Sequence, residues 1–376
     1  MKKMALKPDT VCVHTEGYDY GNYKGVTTPI FTATAYEYIG VDKYVYPRYF
    51  NTPNISITEK KIAALENIEA AILFSSGMAA TMTIFFTLLR SGDHIILQND
   101  IYGGTYDAVK VEMEKMGIKY SFVESTKEGF ENAITPQTKA IFFESPSNPL
   151  LNITDISVVV QLAKKHQIIT IFDNTFGSPI NQNPHNLGID VVMQSGTKYL
   201  GGHSDICCGV ATMNSELGTK IRETAIHLGG NLDPQSAYLL ERSLKTLSLR
   251  VKKQTSNALA IAEWLEKQEE IDRVYYPGLK SNPGYDIAKS QMNGFGAMLS
   301  FEVKNNPDEF VKKLKLISAV MSLGGVESTV TTPVQTSHAR MPAEDREKLG
   351  IKPNLIRMSV GIEDVEDLIN DLKQAF

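Results

Sequence analysis

The sequence predicts an α/β fold, with a mostly parallel central sheet covered by helices on both faces and a smaller C-terminal α+β domain. Two observations carry this expectation. Short apolar, β-branched runs such as 140–143, 168–172 and 191–193 are separated by helical stretches, several of ten residues or more. Continuous apolar runs suit strands buried on both faces, and regular alternation with helices favours parallel order. After about Leu217 helices dominate and strand-like runs become isolated.

The elements follow in order. Residues 1–58 are rich in Tyr, Thr, Gly and Pro and have little helical period. They read as an extended arm of the kind that packs on a partner subunit. From Thr58 the texture changes, giving an amphipathic helix over 58–71 and a second, buried helix over 77–89. Strand 93–97, helix 102–116 and strand 119–123 come next. Strand 140–143, helix 156–166 and strands 168–172 and 191–193 complete the first sheet. Residues 234–266 read as one long helix, straight or kinked, 295–301 and 355–360 as strands, and 307–316 and 365–376 as helices. The expected organisation is arm 1–58, α/β domain 59–240 and C-terminal α+β domain 241–376.

Composition narrows the function classes. The 376 residues are 42% hydrophobic and 22% charged, which is ordinary for a soluble globular protein. A net charge of −5 offers no basic footprint for nucleic acid. The three cysteines, Cys12, Cys207 and Cys208, form no CxxC pair, which fits a reducing compartment. Cys207 and Cys208 lie in an apolar run and read as buried small side chains. No apolar segment follows Met1-Lys2-Lys3, and the stretch at 78–89, about twelve residues, is too short to span a bilayer. Cytoplasmic location, without a membrane partner, is the expectation. No GxxxxGK[ST], HExxH or strand-borne GxGxxG occurs, and no metal is expected.

The chemistry concentrates around one lysine. Lys198 sits in Ser195-Gly196-Thr197-Lys198-Tyr199-Leu200-Gly201-Gly202-His203, directly after an apolar run. Asp173 ends the run 168–172 in the same way. In parallel sheets ligands bind beyond the carboxyl ends of the strands, where both residues fall. Ser75-Ser76-Gly77-Met78 opens a helix with small residues, so free backbone N–H groups and the helix dipole can hold a phosphate. A phosphate cradle, an amine that can link to an aldehyde and a carboxylate that can keep a ring nitrogen protonated are what pyridoxal phosphate requires.

Eight motifs, in order, carry a resemblance. They are Tyr46-Pro47-Arg48, Ser76-Gly77-Met78-Ala79-Ala80, Tyr102-Gly103-Gly104-Thr105, Glu144-Ser145-Pro146-Ser147-Asn148-Pro149, Asp173-Asn174-Thr175-Phe176, Ser195-Gly196-Thr197-Lys198-Tyr199, Ser322-Leu323-Gly324-Gly325-Val326-Glu327-Ser328 and Arg357-Met358-Ser359-Val360-Gly361. Through them the chain, over residues 27–364, resembles the Cys/Met-metabolism (trans-sulfuration) pyridoxal-phosphate enzymes. The resemblance implies the aspartate-aminotransferase-like fold of PLP-dependent transferases. It implies small amino-acid substrates and a homo-oligomer, a dimer of dimers with sites shared across the dimer interface.

Roles carry over position by position. Lys198 matches the Schiff-base lysine that also shuttles protons, and Asp173 the partner of the pyridine nitrogen. Tyr102 matches the tyrosine that stacks on the cofactor ring at the catalytic centre. Gly77, Met78, Ser195 and Thr197 match phosphate ligands, Asn148 a contact to the 3′-oxygen and to substrate, and Thr175 a hydroxyl near the ring. Tyr46 and Arg48 match a pair that reaches the phosphate in the neighbouring subunit. Arg357 matches the clamp on the substrate α-carboxylate, with Ser328 as its helper. Glu327, in Gly-Gly-Val-Glu-Ser, resembles the γ-synthase and γ-lyase pattern, which favours cystathionine γ-lyase or γ-synthase chemistry. β-Lyase, acylhomoserine sulfhydrylase and methionine γ-lyase are the alternatives, with an aminotransferase or an inactive homologue more remote. His203 and His338 read as structural hydrogen-bonding residues.

Two departures stand out. The family reads Asn-Pro-Thr after the arm, whereas this chain has Asn51-Thr52-Pro53, so the loop at the site entrance can take another path. Methionine γ-lyases carry a cysteine two positions after the stacking tyrosine, where this chain has Gly104; that argues against methionine as the preferred substrate.

Overall fold

The computed structural model describes residues 6–14, 25–339 and 341–376. Parts of the expected arm, 1–5 and 15–24, lie outside the described residues. Seven strands form the larger sheet: β1 (Ala70–Phe74), β2 (His94–Gln98), β3 (Lys119–Val123), β4 (Thr138–Glu144), β5 (Ile169–Asp173), β6 (Val191–Ser195) and β7 (Gly209–Met213), in the order β1-β7-β6-β5-β4-β2-β3. β2 to β6 pair in parallel, while β7 runs against both of its neighbours, β1 and β6. The carboxyl ends of β1, β2, β4, β5 and β6 therefore share one edge of the sheet.

Alternation along β4 shows why both faces are covered. Phe142 packs with Ile72, Phe74, Phe85 and Ile171 on one face. Ile141 and Phe143 pack with Phe130, Ile156, Val160 and Phe172 on the other. Phe85 and Phe142 meet edge to face at 5.4 Å. Each such fully buried side chain contributes about 1.5–3 kcal/mol. The buried helix Gly77–Leu88 carries Thr81, Thr83 and Thr87, whose hydroxyls donate to the carbonyls four residues earlier. Polar residues thus enter this core already satisfied.

Two strands of the larger sheet depart from the sequence expectation. The helix expected over 58–71 spans Pro53–Leu65, and Ala70–Phe74 is strand β1. β7 had no expected strand at all. Both are short runs without polar alternation, which periodicity does not separate from helix or loop. The entrance loop gains a helix start from its departure, because Pro53 occupies the first turn with Thr52 at the N-cap, where a missing N–H costs nothing. Phe50 turns the chain there with φ 57°, and its carbonyl accepts from Arg222 Nη1 at 2.8 Å.

The long helix expected over 234–266 is two helices, Pro234–Leu244 and Leu247–Leu265. The buried Arg250 explains the break. Its Nη2 donates to the Ser243 carbonyl at 3.0 Å, and its Nη1 to the Tyr199 carbonyl at 2.8 Å. The Ser243 carbonyl at the break, which also accepts from Thr246 N–H at 3.2 Å in a tightened last turn, is held by a guanidinium that also fixes the loop after Lys198.

The second sheet comprises β8 (Ile271–Tyr275), β9 (Met298–Val303), β10 (Ser318–Ala319), β11 (Thr329–Thr331) and β12 (Leu355–Ser359), in the order β10-β11-β12-β9-β8. Helices Pro307–Lys313 and Val365–Ala375 pack with it, joined through the tilted ring contact of Phe310 and Phe376 at 5.2 Å. Arg357 lies mid-strand in β12, opposite Ser300 of β9 and Thr331 of β11. Among the described residues no helix is long and apolar enough to cross a membrane.

Candidate active site

A cavity of about 700 Å³ opens beyond the carboxyl ends of β4, β5 and β6 and is closed from the other side by residues of the second sheet. Gly77, Met78, Tyr102, Asn148, Asp173, Thr175, Ser195, Thr197, Lys198 and Arg357 all line it. Residues spread over 280 positions of sequence converge because all but Arg357 follow or end a strand of the larger sheet whose terminus faces this edge, while Arg357 comes from the middle of β12 in the second sheet.

Lys198 follows β6 in a turn closed by its own N–H to the Ser195 carbonyl at 3.1 Å. Gly202 donates back to the Lys198 carbonyl at 2.7 Å, and Arg250 holds the carbonyls of Tyr199 and Leu200. The half-buried amine donates to Ser322 Oγ at 2.8 Å. Burial, aided by the positive charge of Arg357, lowers its pKa to about 8. Such an amine is part free base near neutral pH and suits proton transfer.

Ser322 is brought there by an unusual backbone. Its φ is 102°, a region that residues with a Cβ rarely adopt. Next to it Gly324 has φ 76°, and a Cβ on it would stand 2.8 Å from the Tyr199 nitrogen. The N–H of Gly324 donates to Ser359 Oγ at 2.8 Å, and Val326 N–H to the Gly202 carbonyl at 3.0 Å. The loop before β11 is thus locked against the lysine loop.

Asp173 ends β5 with Oδ1 accepting from Thr175 N–H at 2.9 Å and Thr175 Oγ1 at 2.5 Å. Thr175 Oγ1 in turn accepts from Ser195 N–H at 2.9 Å. Oδ2 makes no hydrogen bond among the described residues and is left for a donor in the cavity. Desolvation raises the acid to about 6 against the opposing pull of Thr175. A carboxylate held short of a donor in this way fits a protonated ring nitrogen.

The cradle at the start of helix Gly77–Leu88 fits a phosphate. Ser76 caps the helix, its Oγ accepting from Ala79 N–H at 3.1 Å. The N–H groups of Gly77 and Met78 make no hydrogen bond among the described residues. A Cβ on Gly77 would lie 3.1 Å from Ser195 Cβ, so glycine admits the close approach of the two hydroxyl-bearing segments. Thr197 Oγ1 meanwhile closes its own turn, bonded to the carbonyl and N–H of Cys208 at 3.2 and 3.0 Å.

On the opposite wall Arg357 is buried. Its Nη1 donates to Asn148 Oδ1 at 2.8 Å, whereas Nε has no partner. A buried guanidinium with spare donors is a site for a carboxylate, and its planar fork suits bidentate binding. His338 lies buried behind it, and burial with the charge of Arg357 pushes its pKa down to about 4, so it is neutral. Among the described residues no group of His, Cys, Asp or Glu is arranged to hold a metal.

Four expected site residues lie outside the cavity. Tyr46 and Arg48 are exposed on the turn Pro47–Tyr49, with Tyr46 packed edge to face on Tyr49 at 5.3 Å. Glu327 is exposed to solvent. Ser328 is buried, with Oγ donating to Glu363 Oε2 at 2.9 Å and accepting from Gly361 N–H at 2.8 Å. It braces the turn after β12 rather than facing the cavity. Conversely, Cys207 was expected to be buried and instead is exposed and lines the cavity, while Cys208 is buried. Sequence reading also passed over Ser322 and Glu144, although both stand inside quoted motifs.

The comparisons agree with this geometry. The sequence pattern of the Cys/Met metabolism PLP-dependent enzymes matches residues 9–376. The chain is 43% identical to a cystathionine gamma-lyase of Bacillus subtilis, covering 98% of this chain and 99% of that protein. It is 44% identical to a cystathionine beta-lyase of Lactococcus lactis, covering 93% of each. A solved cystathionine gamma-lyase from Lactobacillus plantarum superposes with a TM-score of 0.96 at 40% identity, covering 99% of this chain and 98% of that one. With cradle, amine, carboxylate and guanidinium around one cavity, and with relatives of this kind along its whole length, the chain belongs to the Cys/Met metabolism PLP-dependent enzymes.

Proposed function

We propose that this enzyme eliminates a thiol from the side chain of L-cystathionine, cutting the Cγ–S bond and, with one water consumed, releasing cysteine, 2-oxobutyrate and ammonia. The observation that carries the reading is the placement of the Lys198 amine in one cavity with the spare donors of Arg357. An amino acid held there by its α-carboxylate presents its Cα and Cβ protons to a single base. Pyridoxal phosphate supplies the electron sink that makes those protons acidic.

The residues divide the work. Arg357, steadied by Asn148, binds and orients the substrate carboxylate. Lys198, poised by burial and by Ser322, takes the Cα proton and then moves a proton at Cβ, a transfer that Cγ–S cleavage needs and Cβ–S cleavage does not. Asp173 keeps a proton on the ring nitrogen, and Thr175 fixes the orientation of its carboxylate. Tyr102, on the cavity wall and 43% exposed, offers a flat face for stacking. Gly77, Met78, Ser195 and Thr197 would hold the phosphate.

The site is completed by a second copy of this chain. Tyr46 and Arg48 sit at a turn in a stretch of chain whose Tyr38, Ile39, Tyr44 and Tyr49 are also exposed. Exposed apolar surface of this kind marks an interaction face. In this reading Arg48 reaches the phosphate held by the partner, within a dimer of dimers. Unpaired cysteines fit a cytoplasmic enzyme.

Cβ–S cleavage is the second reading, favoured by the 44% identity to a cystathionine beta-lyase. The exposed Glu327 gives no support to either. Product analysis across cystathionine, cysteine, methionine and acylated homoserine with cysteine tests both. Pyruvate with homocysteine from cystathionine identifies β-cleavage, cystathionine formed from the acylated homoserine identifies a synthase, and no turnover of any of these refutes the sulfur-specific reading.

A further inference from the structure

We propose that Glu144 is a positioning residue for this reaction, one buried carboxylate that sets Tyr102 and Asn148 together. The inference rests on the reading of the cavity as the PLP site. Glu144 is the last residue of β4 and pairs in register with Asp173, the last residue of β5. It is buried on the wall of the cavity. Both of its oxygens are used. Oε2 accepts from Tyr102 N–H at 3.1 Å and Oε1 from Asn148 N–H at 2.7 Å. Asn148 passes the constraint on, since its Oδ1 accepts from Arg357 Nη1 at 2.8 Å.

One side chain thereby ties the backbone of the stacking tyrosine to the residue that steadies the carboxylate clamp. The Tyr102 N–H stands just before helix Gly103–Ala108, so the bond fixes where that helix starts and how the ring is presented. Only a carboxylate meets both demands. A glutamine has one acceptor oxygen, and its amide NH₂ would face a backbone donor. The charged groups around Glu144 are Asp173 from β5, Asp100 from the loop after β2 and Arg357 from β12. Burial and the neighbouring Asp173 hold the Glu144 carboxyl well above the usual carboxylate range. Two acids side by side at one sheet edge do not both ionise freely, and the N–H groups of Tyr102 and Asn148 oppose that rise without cancelling it.

The test compares E144Q and E144A with the wild type as holoenzymes. Three readouts are taken: the visible circular dichroism of bound pyridoxal phosphate, the affinity for pyridoxal phosphate, and the split of KM against kcat for cystathionine. In E144A the dichroism weakens, cofactor affinity falls by about tenfold, and KM rises more than kcat falls, because two buried donors lose their acceptors. E144Q keeps one acceptor and lies between. If E144A does not fold, E144Q decides alone. An E144Q holoenzyme with unchanged dichroism, cofactor affinity and KM would overturn the proposal. Loss of dichroism and affinity in a protein that turns over no sulfur amino acid would uphold it and refute the reaction reading instead.

Discussion

The amine of Lys198 donates to the hydroxyl of Ser322 at 2.8 Å, a bond between the loop after β6 of the larger sheet and the loop before β11 of the smaller one. The amine is therefore aimed by a residue 124 positions away. Ser322→Ala removes that partner and leaves the cradle intact. We expect kcat to fall about tenfold with KM little changed, the loss of one hydrogen bond to a charged group. Steady-state kinetics with cystathionine checks this.

Arg357→Lys keeps the charge and loses the fork. With one point donor in place of a bidentate pair, and with Asn148 Oδ1 left unmet, KM rises by about 30-fold while cofactor absorbance stays in place. A change in kcat alone would contradict the clamp.

Asp173 gives a pH-dependent signature in the cofactor-free protein. Its folded pKa of about 6 is above its ordinary 3.8. Between these values the folded chain retains a proton that the unfolded chain has given up, so stability falls as pH rises through this window and the penalty is complete above about pH 6. Asp173→Asn removes it. Above pH 6 the cofactor-free variant melts about 2 °C or more higher than the wild type, and below pH 4 the two converge. The same variant loses about 10³-fold in activity, because an amide does not keep the ring nitrogen protonated. An unchanged melting difference across pH would refute the account of Asp173.

The proposal that two subunits share each site makes a prediction for mixtures. Arg48→Ala and Lys198→Ala each inactivate a homodimer. Subunits that exchange form mixed dimers in which one site draws both intact residues, so about a quarter of the activity returns on mixing. Persistent inactivity after demonstrated exchange would place Arg48 outside the partner's site.

Much of this site was legible in the sequence, for a reason visible at Lys198 and Asp173. Asp173 ends a short apolar run and Lys198 follows one, and the rule that ligands sit beyond carboxyl strand ends then places both on one edge. Ser322 and Ser328 show where that reasoning stops. Both belong to one glycine-rich motif, and spacing alone does not say which hydroxyl faces the amine. The left-handed turn at Ser322 and the close approach of Gly324 to Tyr199 decide it, sending Ser328 to Glu363. Glu327, chosen on pattern, is turned to solvent by the same geometry. Cys207 was misread because the run Ile206-Cys207-Cys208 looks uniformly buried, whereas its two cysteines face opposite sides. β1 was read as the end of a helix because its pairing partner, β7, is distant in sequence.

The central claim is that Lys198 moves the protons that release the thiol at Cγ. Its most direct test is turnover of L-cystathionine in deuterated water by the cofactor-loaded wild type and by Lys198→Ala, with the keto acid identified by mass. The account predicts 2-oxobutyrate labelled at the carbon that was Cβ, and a rate about 10³-fold or more lower in the variant. Pyruvate as the keto acid, or an undiminished rate without Lys198, would contradict it.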